Sequence, residues 1–87
     1  MPRPKRLDWA TPALDELAEG LAYIAEDSLA AAIAVKQRID LAVDRIRRDP
    51  DVYTPGVAPG SRECSVARTD FTLIFEDQGD VILILHC

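Results

Sequence analysis

The amino-acid sequence predicts an α+β domain in which one antiparallel helical hairpin packs on a small antiparallel β-sheet. Two observations lead to this prediction. The first half of the chain contains two consecutive stretches whose apolar residues follow the spacing of amphipathic helices. The last third contains three short stretches of strand character, separated by turn residues. The 87 residues suit one domain, which would span residues 1–87.

The N-terminal part predicts a short strand over residues 3–9 and a helix over residues 12–26. Thr11 can cap the free amides at the helix start, and Pro12 fits the first helical position. Tyr23 is expected to anchor this helix in the core. One apolar stripe follows at helical spacing, formed by Leu14, Leu17, Leu21 and Ile24.

A second helix is predicted over residues 28–48, after a break at Asp27-Ser28 that can cap it. Asp44 stands four residues before Arg48, which is the favourable order for an ion pair on a helix. Because the joint is so short, the two helices should form an antiparallel hairpin. The apolar stripe of the second helix consists of Ala32, Val35, Ile39, Ala42 and Ile46.

The C-terminal part predicts a loop followed by three antiparallel strands. Residues 49–60 contain three prolines and two glycines, which are typical of a loop. The strands are predicted at residues 61–66, 71–76 and 80–86. Gln78-Gly79 supplies the turn of a hairpin between the last two, and the first strand should also join the sheet.

The last strand is apolar on both faces from residue 81 to residue 85. Such a strand is usually buried on both sides, yet one helical hairpin covers only one face of a sheet. Either the loop at residues 49–60 covers the other face, or that face is an apolar patch of the kind that marks a partner site. The two candidate faces are Ile82 with Ile84, and Val81 with Leu83 and Leu85.

The net charge of −5 is unevenly distributed along the chain. Residues 1–6 carry +3, residues 7–44 carry −6, residues 45–69 carry +2 and residues 70–87 carry −4. A protein that binds nucleic acid as its main target normally has a strongly basic face. The charge therefore argues against direct, specific nucleic-acid binding.

The sequence gives no indication of a membrane-spanning helix, a secretory signal or a metal site. No apolar run approaches the ~20 residues that a membrane helix needs, and no apolar segment of a secretory signal follows the basic N-terminus. Cys64 and Cys87 lack the spacing of a metal site or a disulfide framework. We expect a cytoplasmic protein with reduced thiols, no metal and no cofactor.

Five short motifs in consecutive order resemble the ParE/RelE toxin superfamily. Residues 9–17 resemble the start of the family's first helix, and residues 23–28 resemble its helical joint. Asp49-Pro50 and residues 59–63 are similar to the family's loop and its Gly-x-Arg-Glu strand. Residues 82–86 resemble the closing strand with its Leu-His ending. The resemblance covers nearly the whole chain, and the order of the motifs makes it specific.

The resemblance implies the toxin half of a type II toxin–antitoxin pair. Its partner would be a cognate ParD-like antitoxin, held in a hetero-oligomer. ParE-like members poison DNA gyrase and perform no chemistry of their own, which suits an acidic chain. Two alternatives stay open: a ribosome-dependent mRNA endonuclease of the RelE type, and an inactive relative that only binds antitoxin.

For the nuclease alternative, the candidate residues are Arg62, Arg68 and His86. RNA cleavage needs cations for the phosphate, a base for the 2′-hydroxyl and an acid for the leaving oxygen. Arg62 could instead form a structural ion pair across the sheet, and His86 could be a terminal residue without a role. Two departures from the family remove positive charge: the chain stops at Cys87 without a basic tail, and the loop around Gly56 lacks an arginine.

The antitoxin is expected to cover the apolar sheet face around the last strand. An amphipathic helix is the favoured mode, and addition of a strand to the sheet edge is the second. Arginines next to that surface would meet acidic residues of the antitoxin. The candidate residues are Arg62, Arg68, Phe71, Leu73, Val81, Leu83 and Leu85.

Overall fold

The computed structural model describes residues 4–87. Arg3, which the predicted first strand included, lies outside the described residues. The structure confirms the α+β class and the helical hairpin. In chain order the elements are β1 (Arg6–Trp9), α1 (Thr11–Asp27), α2 (Leu29–Arg48), a 3-10 helix (Pro50–Val52), β2 (Thr54–Pro55), β3 (Ser61–Ser65), β4 (Thr72–Asp77) and β5 (Val81–His86).

The five strands form one sheet in the order β1-β5-β4-β3-β2. The last three strands pair antiparallel to one another, as predicted. β1 lies parallel to β5, with Leu7 opposite Ile82 and Trp9 opposite Ile84. A parallel pair needs a long connection, and here the helical hairpin forms part of it. β5 therefore lies between the first strand of the chain and β4.

The two helix starts differ in how they are capped. The Ser28 side chain accepts a hydrogen bond from the Ala31 amide at 3.1 Å, which confirms the predicted cap of α2. The predicted cap at Thr11 is wrong, because Ala10 occupies the cap position and Thr11 is the first helical residue. The Ala10 amide donates to the carbonyl oxygen of Ile84 at 2.9 Å. Pairing with β5 thus keeps the chain extended through Ala10.

The predicted stripe of α1 is confirmed at Leu17, which is buried, and at Leu21 and Ile24, which pack against the core. Ala13 is fully buried, whereas Leu14 is 48% exposed and Tyr23, expected in the core, is 73% exposed. Gly20 lies on the buried face, where an added Cβ would come within 2.5 Å of the Phe71 ring. The apolar pattern wrongly included Leu14 and missed Ala13 and Gly20, because small residues at contact positions give no strong apolar signal.

The core fills the space between the helices and one face of the sheet. Ile82 and Ile84 are fully buried there, so the structure selects Val81, Leu83 and Leu85 as the outward set on β5. The helix α2 contributes most of its predicted stripe, with Val43 in place of the half-buried Ala42. The largest fully buried side chains are Ile39, Ile46, Leu73, Phe75, Ile82 and Ile84.

The segment predicted as a loop at residues 49–60 contains regular structure. Pro50 is buried at the start of a 3-10 turn, and Thr54 and Pro55 pair antiparallel with β3. Proline is tolerated in an edge strand because one side of the backbone needs no amide donor. The segment packs at the β3 edge of the sheet and leaves the outward face of β5 half-exposed.

Two alanine substitutions compare the caps directly. We expect Ser28→Ala to lower the free energy of unfolding by about 0.5–2 kcal/mol, because the Ala31 amide loses its acceptor. Thr11→Ala is the matched control and should change stability by less than about 0.5 kcal/mol. Urea denaturation measures both, and equal losses would contradict the assignment of Ala10 as the cap of α1.

Candidate functional site

The side chain of Arg62 leaves the sheet on the helix-facing side, because Arg62 is paired with Phe75, which is buried on that side. Its Nη1 donates to the carbonyl oxygen of Tyr53 at 2.8 Å and to that of Asp51 at 3.5 Å. Among residues 4–87 it has no carboxylate partner within ion-pair distance, so the alternative of a cross-sheet ion pair is wrong. Arg62 instead ties the chain after α2 to β3.

Arg68 lies in the turn between β3 and β4, where its φ of 62° places it in the left-handed region. Its carbonyl oxygen accepts a long hydrogen bond of 3.5 Å from Nη1 of Arg38. The side chain of Arg68 is exposed at the end of the sheet. A non-glycine residue in this conformation costs of order 1 kcal/mol, which the packed turn has to offset.

His86 lies at the end of β5 and contacts α1. Its Nδ1 is 2.9 Å from Oε1 of Glu16, and both side chains are about half exposed. The residue is therefore part of a contact between strand and helix and is not a frayed terminus. Its neighbour Cys87 is half-buried, and burial followed by the Glu16 charge raises the pKa of that thiol to about 11. Cys87 stays protonated at neutral pH.

The structure does not gather the three nuclease candidates around one point. Arg62 is opposite Phe75 in β4, whereas His86 is opposite Ile74 and two strands away from Arg62. With strands about 4.8 Å apart, the two backbones are separated by about 10 Å or more. Arg62 is held by backbone carbonyls and His86 by a carboxylate. Within residues 4–87, no cluster of three metal-binding side chains occurs either.

The apolar candidates divide between the two faces of the sheet. Leu73 is fully buried against the helices, and Phe71 packs against the core on the same side. The prediction that Leu73 contacts a partner is therefore wrong for the folded chain, because it has no accessible surface. Val81, Leu83 and Leu85 are half-buried on the outward face. For these three, antitoxin contact stays a prediction.

The outward face has an apolar centre with mainly acidic neighbours, and Arg6 of β1 lies opposite Val81 on the same face. Leu83 lies between Asp8 of β1 and Glu76 of β4, and Ile74 lies beside Glu63 of β3. Residues opposite each other in a sheet project from the same face. We call the apolar centre the outward patch; it consists of Ile74, Val81, Leu83 and Leu85.

A second apolar surface escaped the sequence analysis. It is a groove of about 400 Å³ on the helical hairpin. Leu29 is 67% exposed and Ile33 is 52% exposed, and they stand four residues apart on α2. That spacing places both on one helix face, away from the buried stripe. The signal was present in the sequence, but the longer stripe of α2 obscured it.

An ion pair fixes the start of β1. Nζ of Lys5 is 2.7 Å from Oδ1 of Asp77, and Nε of Arg47 donates to the Lys5 carbonyl oxygen at 2.6 Å. The hydrogen bond from Lys5 lowers the pKa of the Asp77 carboxyl, with smaller help from the Gly79 amide. These contacts join β1, β4 and the end of α2 at one corner of the fold.

The comparisons with known proteins agree with this architecture. Residues 7–86 match the sequence profile of a family described as "ParE toxin of type II toxin-antitoxin system, parDE". The chain is 34% identical over 84 residues to a candidate toxin of Sinorhizobium fredii, Y4kP, covering 94% of this chain and 88% of that one.

Two solved structures share the fold. One is a chain of the chromosomal ParDE toxin–antitoxin system of Pseudomonas aeruginosa, with a TM-score of 0.72, 24% identity and coverage of 94% and 91% of the two chains. The other is a chain of the RelBE2 toxin–antitoxin complex of Mycobacterium tuberculosis, with a TM-score of 0.61, 19% identity and coverage of 97% and 95%. Within residues 4–87, neither helix is long and apolar enough to cross a membrane.

The Lys5–Asp77 pair gives a pH-dependent prediction. Because folding lowers the pKa of Asp77, the ionised carboxylate stabilises the folded chain fully at pH values above the range where an unfolded aspartate titrates. This stabilisation disappears as the pH falls through the lower pKa of the folded state. Asp77→Asn should therefore destabilise the chain by up to about 1 kcal/mol at neutral pH, since the pair is partly exposed.

Once the pH is well below the lowered pKa of folded Asp77, the Asp77→Asn variant and the unmodified chain should be equally stable. Urea denaturation from neutral to acidic pH measures this difference. Asp40→Asn, which removes an exposed pair with Lys36 on α2, serves as the control and should have the smaller effect at neutral pH. A stability difference for Asp77→Asn that does not depend on pH would contradict the assignment.

Proposed function

The chain belongs to the ParE toxin family of type II toxin–antitoxin systems, and we propose that a cognate ParD-like antitoxin neutralises it and that DNA gyrase is its target. The observation that supports inhibition by binding is the separation of the three nuclease candidates. Arg62 and His86 each have their own structural partner, and Arg68 lies in the turn between β3 and β4. An inhibitor of this kind requires a binding surface and no assembled catalytic group.

The outward patch is the proposed antitoxin site. It is half-exposed on the strand that lies next to both β1 and β4, and its far side is the core. Covering apolar surface of this kind contributes about 25 cal/mol per Å² of area removed from water. An amphipathic helix of the antitoxin that orders on binding would supply the cover, at a cost in conformational entropy.

The charges beside the outward patch favour a partner segment that is mainly cationic. Asp8, Glu63 and Glu76 lie beside the apolar centre on the outward face, and Arg6 lies opposite Val81 at one end. A segment with apolar residues on one side and flanking lysines or arginines would match both features. Arg62 and Arg68, which we expected beside this surface, do not project from the outward face, so they offer no cations to it.

A substitution in the outward patch tests the antitoxin site. We expect Leu83→Lys to weaken antitoxin binding at least about thirtyfold, as for a central residue of an interface, because it places a charge on the apolar centre. The introduced lysine lies between Asp8 and Glu76, so the fold should be retained. Isothermal titration with the cognate antitoxin measures the affinity.

The control for this experiment is Val57→Lys, which adds the same charge at a side chain that is 91% exposed and far along the chain from the patch. It should leave the affinity within about twofold. If Leu83→Lys binds antitoxin as tightly as Val57→Lys does, the outward patch is not the antitoxin site.

The target is tested with the purified chain in two assays. We expect inhibition of DNA supercoiling by gyrase and no cleavage of mRNA on translating ribosomes. Arg62→Ala distinguishes the mechanisms, because a nuclease would lose its phosphate-binding cation. Circular dichroism must show that this variant remains folded. Cleavage by the unmodified chain that disappears in folded Arg62→Ala would replace the gyrase proposal by the nuclease.

A further inference from the structure

The connection between β2 and β3 is an uncharged loop at the edge of the sheet. Residues 52–60 contain no charged side chain, although 29% of the residues in the chain are charged. Residues 57–60 are all exposed, and the side chain of Val57 is 91% exposed. We call residues 56–60 the valine loop. Its apolar tip contributes little to the stability of the free chain, because it remains in water.

Hydrogen bonds hold the valine loop in one conformation. The Gly56 amide donates to the carbonyl oxygen of Ser61 at 2.8 Å, and the Ser61 amide donates to that of Ala58 at 3.0 Å. The Ser61 hydroxyl donates to the same Ala58 oxygen at 2.7 Å, and Ser61 is only 4% exposed. A buried serine therefore anchors the base of an exposed apolar loop.

Two glycines allow the loop to close so tightly. Gly60 has a φ of 80°, in the left-handed region that residues with a side chain rarely adopt. Gly56 lies so close to β3 that an added Cβ would collide with the Ser61 hydroxyl. Below the loop, Arg62 donates to the carbonyl oxygen of Tyr53 at 2.8 Å. The loop is therefore fixed in position before any partner binds.

The composition of the valine loop restricts the kind of partner that can cover it. A phosphate backbone is bound mainly through lysine and arginine, and the loop contains neither. Val57, Ala58 and Pro59 instead present small apolar side chains at the tip. An apolar pocket of a folded protein matches such a tip. Because the loop is already ordered, its binding costs little conformational entropy.

The valine loop is well separated from the outward patch. β2 is the last strand in the sheet order, three strand spacings from β5. With strands about 4.8 Å apart, this separation is about 14 Å. A substitution at the tip of the loop can therefore be made without a change in the outward patch.

We propose that the valine loop is the part of the chain that enters an apolar pocket of the target protein. The inference rests on the proposed function, in which this target is DNA gyrase. Val57 fills the pocket, and Ala58 and Pro59 pack at its rim. Removal of these side chains from water provides the affinity, and the hydrogen bonds of Ser61 keep them in place.

Inhibition of DNA supercoiling by gyrase tests the loop with charges of both signs. We expect Val57→Lys and Val57→Glu each to raise the concentration for half-maximal inhibition at least about tenfold, because an apolar pocket excludes either charge. Val57→Ile keeps an apolar side chain and should stay within about threefold of the unmodified chain. If either charged variant inhibits as strongly as the unmodified chain or more strongly, the proposal is wrong.

The matched control is Val52→Lys. Val52 is 68% exposed and lies in the 3-10 turn before β2, outside the valine loop. The same substitution there should change inhibition by less than about twofold. Equal losses for Val52→Lys and Val57→Lys would show an effect of charge alone and would overturn the proposal. Circular dichroism verifies the fold, which should persist because both side chains are exposed.

Failure of the loop and failure of the target have different results. If the unmodified chain does not inhibit gyrase, the proposed target is wrong and the loop proposal fails with it. If the unmodified chain inhibits gyrase and Val57→Lys inhibits it equally, only the loop proposal fails. Val57→Lys should still bind the antitoxin, and a loss of that affinity would assign the loop to the antitoxin interface instead.

Another copy of the chain is the alternative occupant, because the groove on the helical hairpin exposes Leu29 and Ile33. Sedimentation of the free chain at increasing concentration tests this alternative. Our proposal requires the unmodified chain and Val57→Lys to have the same mass at each concentration. Self-association that Val57→Lys abolishes would mean that the loop binds a second copy, and the target proposal for the loop would be wrong.

Discussion

The position of β5 between β1 and β4 is the constraint on which the rest of the fold depends. Leu7 and Trp9 reach their places in the core only by pairing beside Ile82 and Ile84. The same pairing holds the Ala10 amide and thereby sets the start of α1. Both helices then cover the inner side of β5, and its outer side becomes the centre of the outward patch.

Charge is distributed differently on the two sides of the sheet. On the outward face, Asp8, Glu63 and Glu76 lie beside an apolar centre, and Arg6 lies opposite Val81. On the helix-bearing side, Arg38, Arg45 and Arg68 line a cleft and form no carboxylate ion pair within residues 4–87. The net charge of the chain describes neither surface.

The sequence was most informative where a pattern is local. Helix spacing located α1 and α2, and Ser28 identified a real cap. It failed where a distant contact decides. The cap position of α1 is Ala10 and not Thr11, because β5 accepts a hydrogen bond from the Ala10 amide. The short strand β2 is defined only by its pairing with β3.

The candidate site was predictable in part for the same reason. An all-apolar strand shows no alternation of polar and apolar residues, so the sequence did not predict which set of β5 side chains faces outward. In the structure this set is Val81, Leu83 and Leu85. Leu73 was assigned to a partner surface although it belongs to the core. The cleft lined by Arg38, Arg45 and Arg68 was not predictable from the sequence, because Arg38 and Arg45 of α2 meet Arg68 only across the fold.

The parallel pairing of β1 with β5 also has a kinetic consequence. Nearly the whole chain must close into a loop before Leu7 finds Ile82, and such non-local closure slows folding in a domain of this size. Until then the run from Val81 to Leu85 is exposed, and a short, uncharged, β-branched and apolar segment is a typical nucleus of aggregation. The strand that completes the core is therefore the segment that most needs protection in the newly made chain.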